Sequence, residues 1–371
     1  MKYKPLITIV LGTRPEAIKF APLIIKLRRE KSLRLKIILT GQHNEMVSQV
    51  MDLFKIKEDI NFKIMQERQS LTDITLKIIA NLSKEFALNK PDLLLVQGDT
   101  STAFTASLVA FYEQVNIGHL EAGLRTSTLL NPFPEEANRR LISQISTLHF
   151  APSKKAVENL RNSNIKENIF LTGNTVIDAM LYVAENCNSN YLQKINLSNK
   201  KIILATVHRR ENWGKNLENI CYGLLKIINN NPDLFLLMPV HKNKIITDPV
   251  HKILGSHPNI KLTSSLSYDH LVEVIKNCII VLTDSGGLQE EAPSLGKPVL
   301  VLRDETERVE AIEYGTAKLV GTDREKIFIT ANSLLNNHYE YNLMANSINP
   351  YGKGNSSMKI IDICKSFLNI N

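Results

Sequence analysis

The apolar residues fall in short runs rich in Ile, Val and Leu, and most runs do not alternate with polar residues. Strands buried on both faces of a parallel sheet read this way. In the first half the runs are Leu6–Leu11, Leu35–Leu39, Leu93–Val96, Val115–Ile117, Leu148–Phe150 and Ile169–Leu171. Amphipathic stretches of helical length separate them, among them Ala17–Arg29, Leu71–Phe86 and Thr102–Gln114. The second half repeats the scheme with Lys201–Ala205, Leu234–Met238, Ile260–Leu262, Ile279–Leu282, Pro298–Leu302 and Ala317–Val320. Strands alternating with helices predict right-handed βαβ units, and two such sets predict an α/β chain of two Rossmann-like domains. The join falls around Asp178–Lys201, where the chain turns polar and rich in Asn, Ser and Lys before strands resume at Ile202.

Nearly every run ends in a polar cluster: GTRPE (12–16), TGQH (40–43), QGDTST (97–102), GHLEAGLRT (118–126), TVHRREN (206–212), PVH (239–241) and TDSGG (283–287). Ligands of open α/β sheets bind outside the carboxyl ends of the strands. Two domains loaded at that edge predict an active site in the interdomain cleft. TDSGG lies between a buried run and a helix expected to begin near Leu288. Gly286 and Gly287 admit close approach of backbone N–H groups, which suits a phosphate or pyrophosphate cradle, or equally a tight turn. GTRP (12–15) makes a matching turn in the first half, with Pro15 suited to the first helical position. Arg14, Lys19 and Arg308 offer cationic contacts there, or are ordinary surface charges.

Acid–base candidates crowd the first half: Asp99, Glu121 and the Glu135–Glu136 pair. His208, beside Arg209 and Arg210, is the candidate in the second half. A carboxylate at a strand end, exposed yet partly desolvated, is suited to a raised pKa and to proton transfer. Each group has a plainer alternative. Asp99 could cap the helix after it, Glu135 and Glu136 could be first-turn charge on a helix running to Thr147, and His208 could be a satisfied buried histidine. The chain has no G-x-x-x-x-G-K-[ST] loop and no G-x-G-x-x-G after its first strand, so ATP hydrolysis and standard NAD binding lose support. Its nine histidines show no H-E-x-x-H pattern, and neither metal nor cofactor is expected.

Composition narrows the class further. The 371 residues are 43% hydrophobic and 22% charged, which suits a globular protein of more than one domain. The net charge of +8 is scattered and aromatics are only 6%, so attraction for a small anionic substrate is expected rather than nucleic-acid binding. No apolar run approaches the roughly 18 residues of a membrane span. Arg14 and Glu16 follow Leu6–Leu11 where a signal peptide would place small residues, so a cytoplasmic protein with no membrane contact is expected. Cys187, Cys221, Cys278 and Cys364 are widely spaced and read as buried hydrophobes.

GTRPEAIKFAPL (12–23), TGQHNEM (40–46), GDTST (98–102), HLEAGLRT (119–126), PFPEEANR (132–139), GNTVID (173–178), TVHRREN (206–212) and DSGGLQEEAPSLGKPVLVLRDETER (284–308) occur in that order. Together they closely resemble the non-hydrolysing UDP-N-acetylglucosamine 2-epimerases, over essentially the whole chain. The resemblance implies the GT-B glycosyltransferase-like fold. Its N-terminal domain would be residues 1–177 with a C-terminal helix, 355–371, packing back on it, and its UDP-binding domain residues 178–354. The implied reaction interconverts UDP-GlcNAc and UDP-ManNAc by eliminating UDP to a 2-acetamidoglucal and adding it back, with no NAD.

Carried over motif by motif, Asp99, Glu121 and Glu135 match the family's acid–base carboxylates, without assigning which serves which face of C2. His208 matches the histidine that contacts substrate and assists departure or return of UDP. Arg14 and Lys19 resemble nucleotide contacts, Ser285, Gly286, Gly287 and Arg308 diphosphate contacts, and Glu291 the ribose contact. Some members bind a second UDP-GlcNAc as an allosteric activator; the matching positions are Gln42, Arg68, Arg209 and His241, with Glu135 bordering both sites. Glu45 stands where regulated members often carry glutamine, while Lys244 and Val309 replace prolines usual after PVHxN and TER. A homodimer is implied by the resemblance alone. The competing readings are a sister epimerase on a modified UDP-sugar such as a diacetamido-uronic acid, a hydrolysing relative, a nucleotide-sugar sensor, and a glycosyltransferase of the same fold.

Overall fold

A computed structural model describes residues 3–41, 44–66 and 69–370. The chain forms two compact units, Met1–Ala179 with Tyr351–Asn371, and Met180–Pro350. In the first, β1 (Leu6–Leu11), β2 (Arg34–Leu39), β3 (Ile60–Asn61), β4 (Leu93–Gln97), β5 (Asn116–Leu120), β6 (Leu148–Ala151) and β7 (Ile169–Leu171) make one parallel sheet. Its order is β3-β2-β1-β4-β5-β6-β7. In the second, β8 (Lys201–Thr206), β9 (Leu234–Pro239), β10 (Ile260–Thr263), β11 (Cys278–Thr283), β12 (Val299–Val301) and β13 (Ala317–Leu319) are also parallel, in the order β10-β9-β8-β11-β12-β13. The α/β architecture of two Rossmann-like units expected from the apolar runs is therefore present.

Every residue of β1 and β4 is buried, which is why their sequences do not alternate. On one face of the first sheet, Val10, Ile38, Leu94, Val96 and Ile117 pack against Ile78, Leu82 and Phe86 of the helix Leu71–Leu88. In the second unit Ile203, Ala205, Leu236 and Leu282 meet Leu217, Ile220 and Leu224 of the helix Lys215–Asn230. Each such side chain, fully buried, contributes about 1.5–3 kcal/mol before the cost of ordering it.

Two elements depart from the sequence reading. β3 has only two residues, half-buried at the sheet edge, too short for any periodicity. β5 runs on to Leu120, so Gly118, His119 and Leu120 are strand rather than polar turn; pairing with β4 and β6 on both sides keeps even the histidine in the ladder.

The strand order reverses between β1 and β4 in the first sheet and between β8 and β11 in the second. Loops leaving neighbouring strands in opposite directions open a crevice there, the usual ligand site of such sheets. The segments 12–16, 98–102, 206–212 and 283–287 all leave from those four strands.

The last helix, Ser356–Phe367, belongs to the first unit. Its leading N–H groups, which no helix can satisfy internally, find the buried carboxylate of Asp178: Ser356 N donates to Oδ2 at 3.1 Å and Ser357 N to Oδ1 at 2.9 Å. Lys365 Nζ adds an ion pair to Glu30 at 3.1 Å. Cys221, Cys278 and Cys364 are buried, and burial pushes each thiol up to about 12, which leaves them inert as nucleophiles. Among the described residues no helix is long and apolar enough to cross a membrane.

Asp178→Ala strips the cap from a buried helix end and is expected to destabilise the first unit by about 1–2 kcal/mol. Trypsin should then release the segment after Lys353 faster than from the parent. Unchanged digestion and unchanged denaturant midpoint would show that packing alone holds the helix.

Candidate active site

The turn after β1 is packed so closely that a Cβ at Gly12 would lie 2.3 Å from Thr40 Oγ1 and 2.4 Å from Thr102 Oγ1, so only glycine fits. Its amides are already taken. Gly12 N, Thr13 N and Thr13 Oγ1 donate to Glu16 Oε2 at 3.0, 2.8 and 2.8 Å, and Thr100 Oγ1 donates to Oε1 at 2.7 Å. Glu16 is fully buried; burial pushes its carboxyl up and these four bonds pull it back down only in part. The anion cradle offered by GTRP in the sequence is thus filled by the chain's own carboxylate. Arg14 sits half-buried at the start of the helix Arg14–Leu27, and Lys19 one turn further along that helix.

Lys19 reaches across to the next loops, with Nζ 2.6 Å from Glu121 Oε2. Gln97, the last residue of β4, donates through Nε2 to the same oxygen, and Asn174 Nδ2 donates to Oε1 at 3.1 Å. Glu121 itself has φ of 60°, a left-handed backbone that costs a non-glycine residue about 1–2 kcal/mol. Gly98 N to Leu120 O at 3.0 Å and Ala122 N to Phe150 O at 3.1 Å hold it on either side. The carboxylate is therefore aimed by three side chains and its backbone is fixed by two neighbouring strands.

Asp99 does not cap the helix that follows: Thr100 does, its Oγ1 accepting from Ala103 N at 2.9 Å. The Asp99 carboxylate is instead paired with Arg139, while Asn138 Nδ2 donates to the Asp99 carbonyl at 2.9 Å. Burial pushes the Asp99 carboxyl above the usual aspartate range; Arg139 opposes that and the nearby Glu121 charge reinforces it. His119 steadies the same loop. Its buried ring is held near a pKa of about 3 by burial, hence neutral, and Nε2–H donates to the Gly98 carbonyl at 2.7 Å.

The Glu135–Glu136 pair divides into two roles. Glu136 is fully buried and accepts from Arg139 Nη1 at 3.2 Å, Arg140 Nε at 2.6 Å and Thr126 N at 3.0 Å. It is the clamp that holds Arg139 toward Asp99. Glu135 is the opposite case, with a buried Oε2 that has no hydrogen-bond partner. An orphaned carboxylate oxygen is costly in a native structure and calls for an explanation.

In the second unit His208 follows β8 and Asp284 follows β11, side by side at the switch point. Asp284 is wholly buried, and its Oδ2 accepts from His208 N, Arg209 N and Asn212 Nδ2 at 2.9, 2.9 and 3.0 Å. His208 Nδ1 lies 2.9 Å from Asp284 Oδ1, while the ring is half exposed. It is not the buried histidine that the sequence left open. Burial works against the Asp284 charge, but His208 and the two backbone donors hold its carboxyl below the usual range.

The helix after this loop begins at Gly286, not Leu288, so both glycines lie in its first turn with Ser285 as cap. A Cβ at Gly286 would meet Glu307 Oε1 at 3.0 Å and the Arg308 guanidinium carbon at 3.3 Å, so a side chain here would press on both. Glu307 gathers Arg209, Arg308 and Arg303 at 3.0, 3.1 and 2.6 Å; burial alone would raise its carboxyl, but the three guanidiniums bring it to about 2. Arg308 Nε also bonds Glu290 at 2.7 Å. Glu291 accepts the buried Tyr268 hydroxyl on Oε1 at 2.9 Å, leaving Oε2 on the Gly287 side.

Ser285, Gly286, Gly287, Glu291 and Arg308 thus surround one turn, which Arg209 joins through Glu307. His241 is exposed on the turn after β9, its Nδ1 accepting from Asn243 N at 3.1 Å. Gln42 and Arg68 lie outside the described residues. Among the described residues no group of three or more His, Cys, Asp or Glu side chains is placed to hold a metal ion. Sequence reading passed over Glu16, Gln97, Arg139, Asn174, Tyr268, Asp284 and Glu307. Gln97, Asn174 and Asp284 each stand at the carboxyl end of a strand, and that position was the available signal.

The family model for UDP-N-acetylglucosamine 2-epimerase matches residues 25–365. The UDP-N-acetylglucosamine 2-epimerase of Salmonella typhimurium is 45% identical over 367 residues, 96% of this chain and 98% of that one. The enzyme of the same name from Campylobacter jejuni is 44% identical over 369 residues, 96% of each. The crystal structure of the Neisseria meningitidis UDP-GlcNAc 2-epimerase, bound to UDP-GlcNAc, superposes with a TM-score of 0.88 at 44% identity, covering 97% of this chain and all of that one. The chain belongs to the UDP-N-acetylglucosamine 2-epimerase family, a family of isomerases.

Proposed function

We propose that the protein interconverts UDP-GlcNAc and UDP-ManNAc without hydrolysis, by eliminating UDP and adding it back. The C2 hydrogen of the sugar is not next to a carbonyl and is barely acidic. Its removal becomes feasible when the C2–H electron pair forms a C1–C2 double bond as the C1–O bond breaks and UDP leaves with that bond's electrons. The product is 2-acetamidoglucal. UDP oxygen then attacks C1 while a proton returns to C2 from the other face, and no redox cofactor enters the balance. One observation carries this reading: three carboxylates in distinct electrostatic settings on one sheet edge, Glu121 held by three donors, Asp99 pushed up by burial, and Glu135 with a bare buried oxygen. Carboxylates set apart in this way suit proton removal and delivery.

The sugar is assigned to Asp99, Glu121 and Glu135, and the nucleotide to the second unit. Ser285, Gly286, Gly287 and Arg308 take the diphosphate, Glu291 the ribose, and His208 assists departure and return of UDP. Arg14 and Lys19 complete the nucleotide contacts, with Lys19 also holding Glu121. The Neisseria meningitidis relative carries UDP-GlcNAc in its structure, which supports that substrate over a modified sugar. Cytoplasmic location, a homodimer and activation by a second UDP-GlcNAc at Gln42, Arg68, Arg209 and His241 complete the reading.

Proton NMR of the protein with UDP-GlcNAc in D₂O is expected to show UDP-ManNAc appearing, with deuterium at C2 of both sugars. Free ManNAc with UDP would replace this reading by the hydrolysing one.

Glu121→Gln keeps the shape but not the charge. Turnover should fall by about 10²–10⁴-fold while UDP affinity stays within a few-fold. Parent-like turnover would remove Glu121 from the chemistry.

Arg139 favours the charged form of Asp99, so Arg139→Gln must raise that pKa further. Whichever limb of the kcat/KM profile Asp99 controls is expected to move to higher pH, as an acid lost later or a base gained later. A limb that stays or moves down would show that Asp99 does not set it.

A further inference from the structure

We propose that Asp284 is the positioning residue of His208: it fixes the imidazole with its proton on Nδ1 and leaves Nε2 as the nitrogen that exchanges a proton with the departing and returning diphosphate. The proposal rests on the UDP elimination proposed above for its chemistry, and on the geometry of the second unit for its structure.

The carboxylate has only acceptor oxygens. Oδ2 is consumed by His208 N, Arg209 N and the Asn212 amide, each at 2.9–3.0 Å. Oδ1 is the oxygen turned to the ring, 2.9 Å from Nδ1. A hydrogen bond there requires the proton on Nδ1, because two acceptors facing each other repel. The neutral ring therefore presents a bare Nε2, and the protonated ring an Nε2–H whose imidazolium charge is balanced by Asp284. Asn212 is itself buried and tied to Leu302 O at 3.1 Å, so the carboxylate cannot swing away.

The other charges around this loop are Arg209, bonded through Nε to Asp284 O at 3.0 Å, and beyond it Glu307 with Arg303 and Arg308. The guanidiniums are partnered by Glu307 and Glu290, so Asp284 is the carboxylate that faces the ring itself.

Departure of UDP leaves negative charge on the diphosphate oxygen that was bonded to C1. The imidazolium Nε2–H passes its proton to that oxygen, and on return the bare Nε2 takes it back. The ring needs no turn between the two steps, because Nδ1 stays facing Asp284 Oδ1 throughout. This is the economy of an Asp–His pair in which the carboxylate orients the ring and is not itself protonated.

Asp284→Asn tests this with the fold's own constraint. The three donors at Oδ2 require an oxygen there, so the amide nitrogen must face Nδ1 and force the proton to Nε2. Nitrogen-15 signals of the labelled full chain, with His208→Gln to assign them, should show a protonated Nδ1 and bare Nε2 in the parent and the reverse in the variant. kcat should drop by about 10²–10³-fold with KM for UDP-GlcNAc changed less than a few-fold.

A parent ring protonated on Nε2 and bare on Nδ1 would overturn the proposal even if the variant failed to fold. Parent-like kcat in a folded Asp284→Asn protein would overturn it as well. A parent inactive on UDP-GlcNAc would sink the activity reading instead, and the nitrogen signals would still decide the tautomer.

Discussion

A carboxylate taken out of water costs several kcal/mol unless donors surround it, and this chain buries many at the working edges of its two sheets. The donors each one finds divide them into kinds. Glu16, Glu136 and Asp178 have both oxygens served by backbone N–H groups, hydroxyls or guanidiniums, and Asp284 has three donors on Oδ2; Glu16, Asp178 and Asp284 also tie together segments far apart in sequence. Asp99 and Glu135 are less well provided. Asp99 has one guanidinium against burial and a neighbouring negative charge, and Glu135 keeps a bare oxygen. Glu121 lies between, fully served by donors but on a left-handed backbone. The well-served carboxylates hold the loops in place, and the less well served ones are those to which the proposed function gives the proton.

Much of this was legible in the chain before any coordinates. The β1, β4, β6, β8, β9 and β11 strands stand within two residues of their apolar runs, because burial on both faces leaves little ambiguity in such runs. The concentration of chemistry at strand ends followed from the same pattern. What could not be read was which of two adjacent residues faces inward. Glu135 and Glu136 are equivalent in sequence, and only the clamp on Arg139, Arg140 and Thr126 separates them. Likewise Thr100 rather than Asp99 caps its helix because Arg139, some 40 residues away, claims the aspartate. Contacts at that separation leave no local periodicity behind.

The C-terminal segment shows how far such contacts reach. Asn174 N donates to Tyr351 O at 2.7 Å, and the same asparagine's Nδ2 bonds Glu121. Asp178, four residues on, caps the last helix. GNTVID therefore reads as one device: its asparagine orients the Glu121 carboxylate while its aspartate fastens the tail that fixes the asparagine. The last helix and the Glu121 carboxylate are thus joined through two residues, Asn174 and Asp178.

The two units also share a solution that explains an absence in the sequence. Dinucleotide-binding folds take phosphate on the amides after the first strand, with glycines to admit it. Here those amides are closed in both units by a carboxylate of the chain: Glu16 on Gly12 and Thr13 after β1, and Asp284 on His208 and Arg209 after β8. A phosphate brought to the amides of either turn would find them already bonded to a buried carboxyl group. That leaves the turn after β11, where glycines 286 and 287 stand beside the guanidinium of Arg308. The missing G-x-G-x-x-G is thus the counterpart of two filled turns, and it is why the diphosphate reading falls on DSGG. Asp284 faces His208 rather than capping a helix, so in the proposed mechanism the loop that receives the leaving group would also orient the ring that serves it.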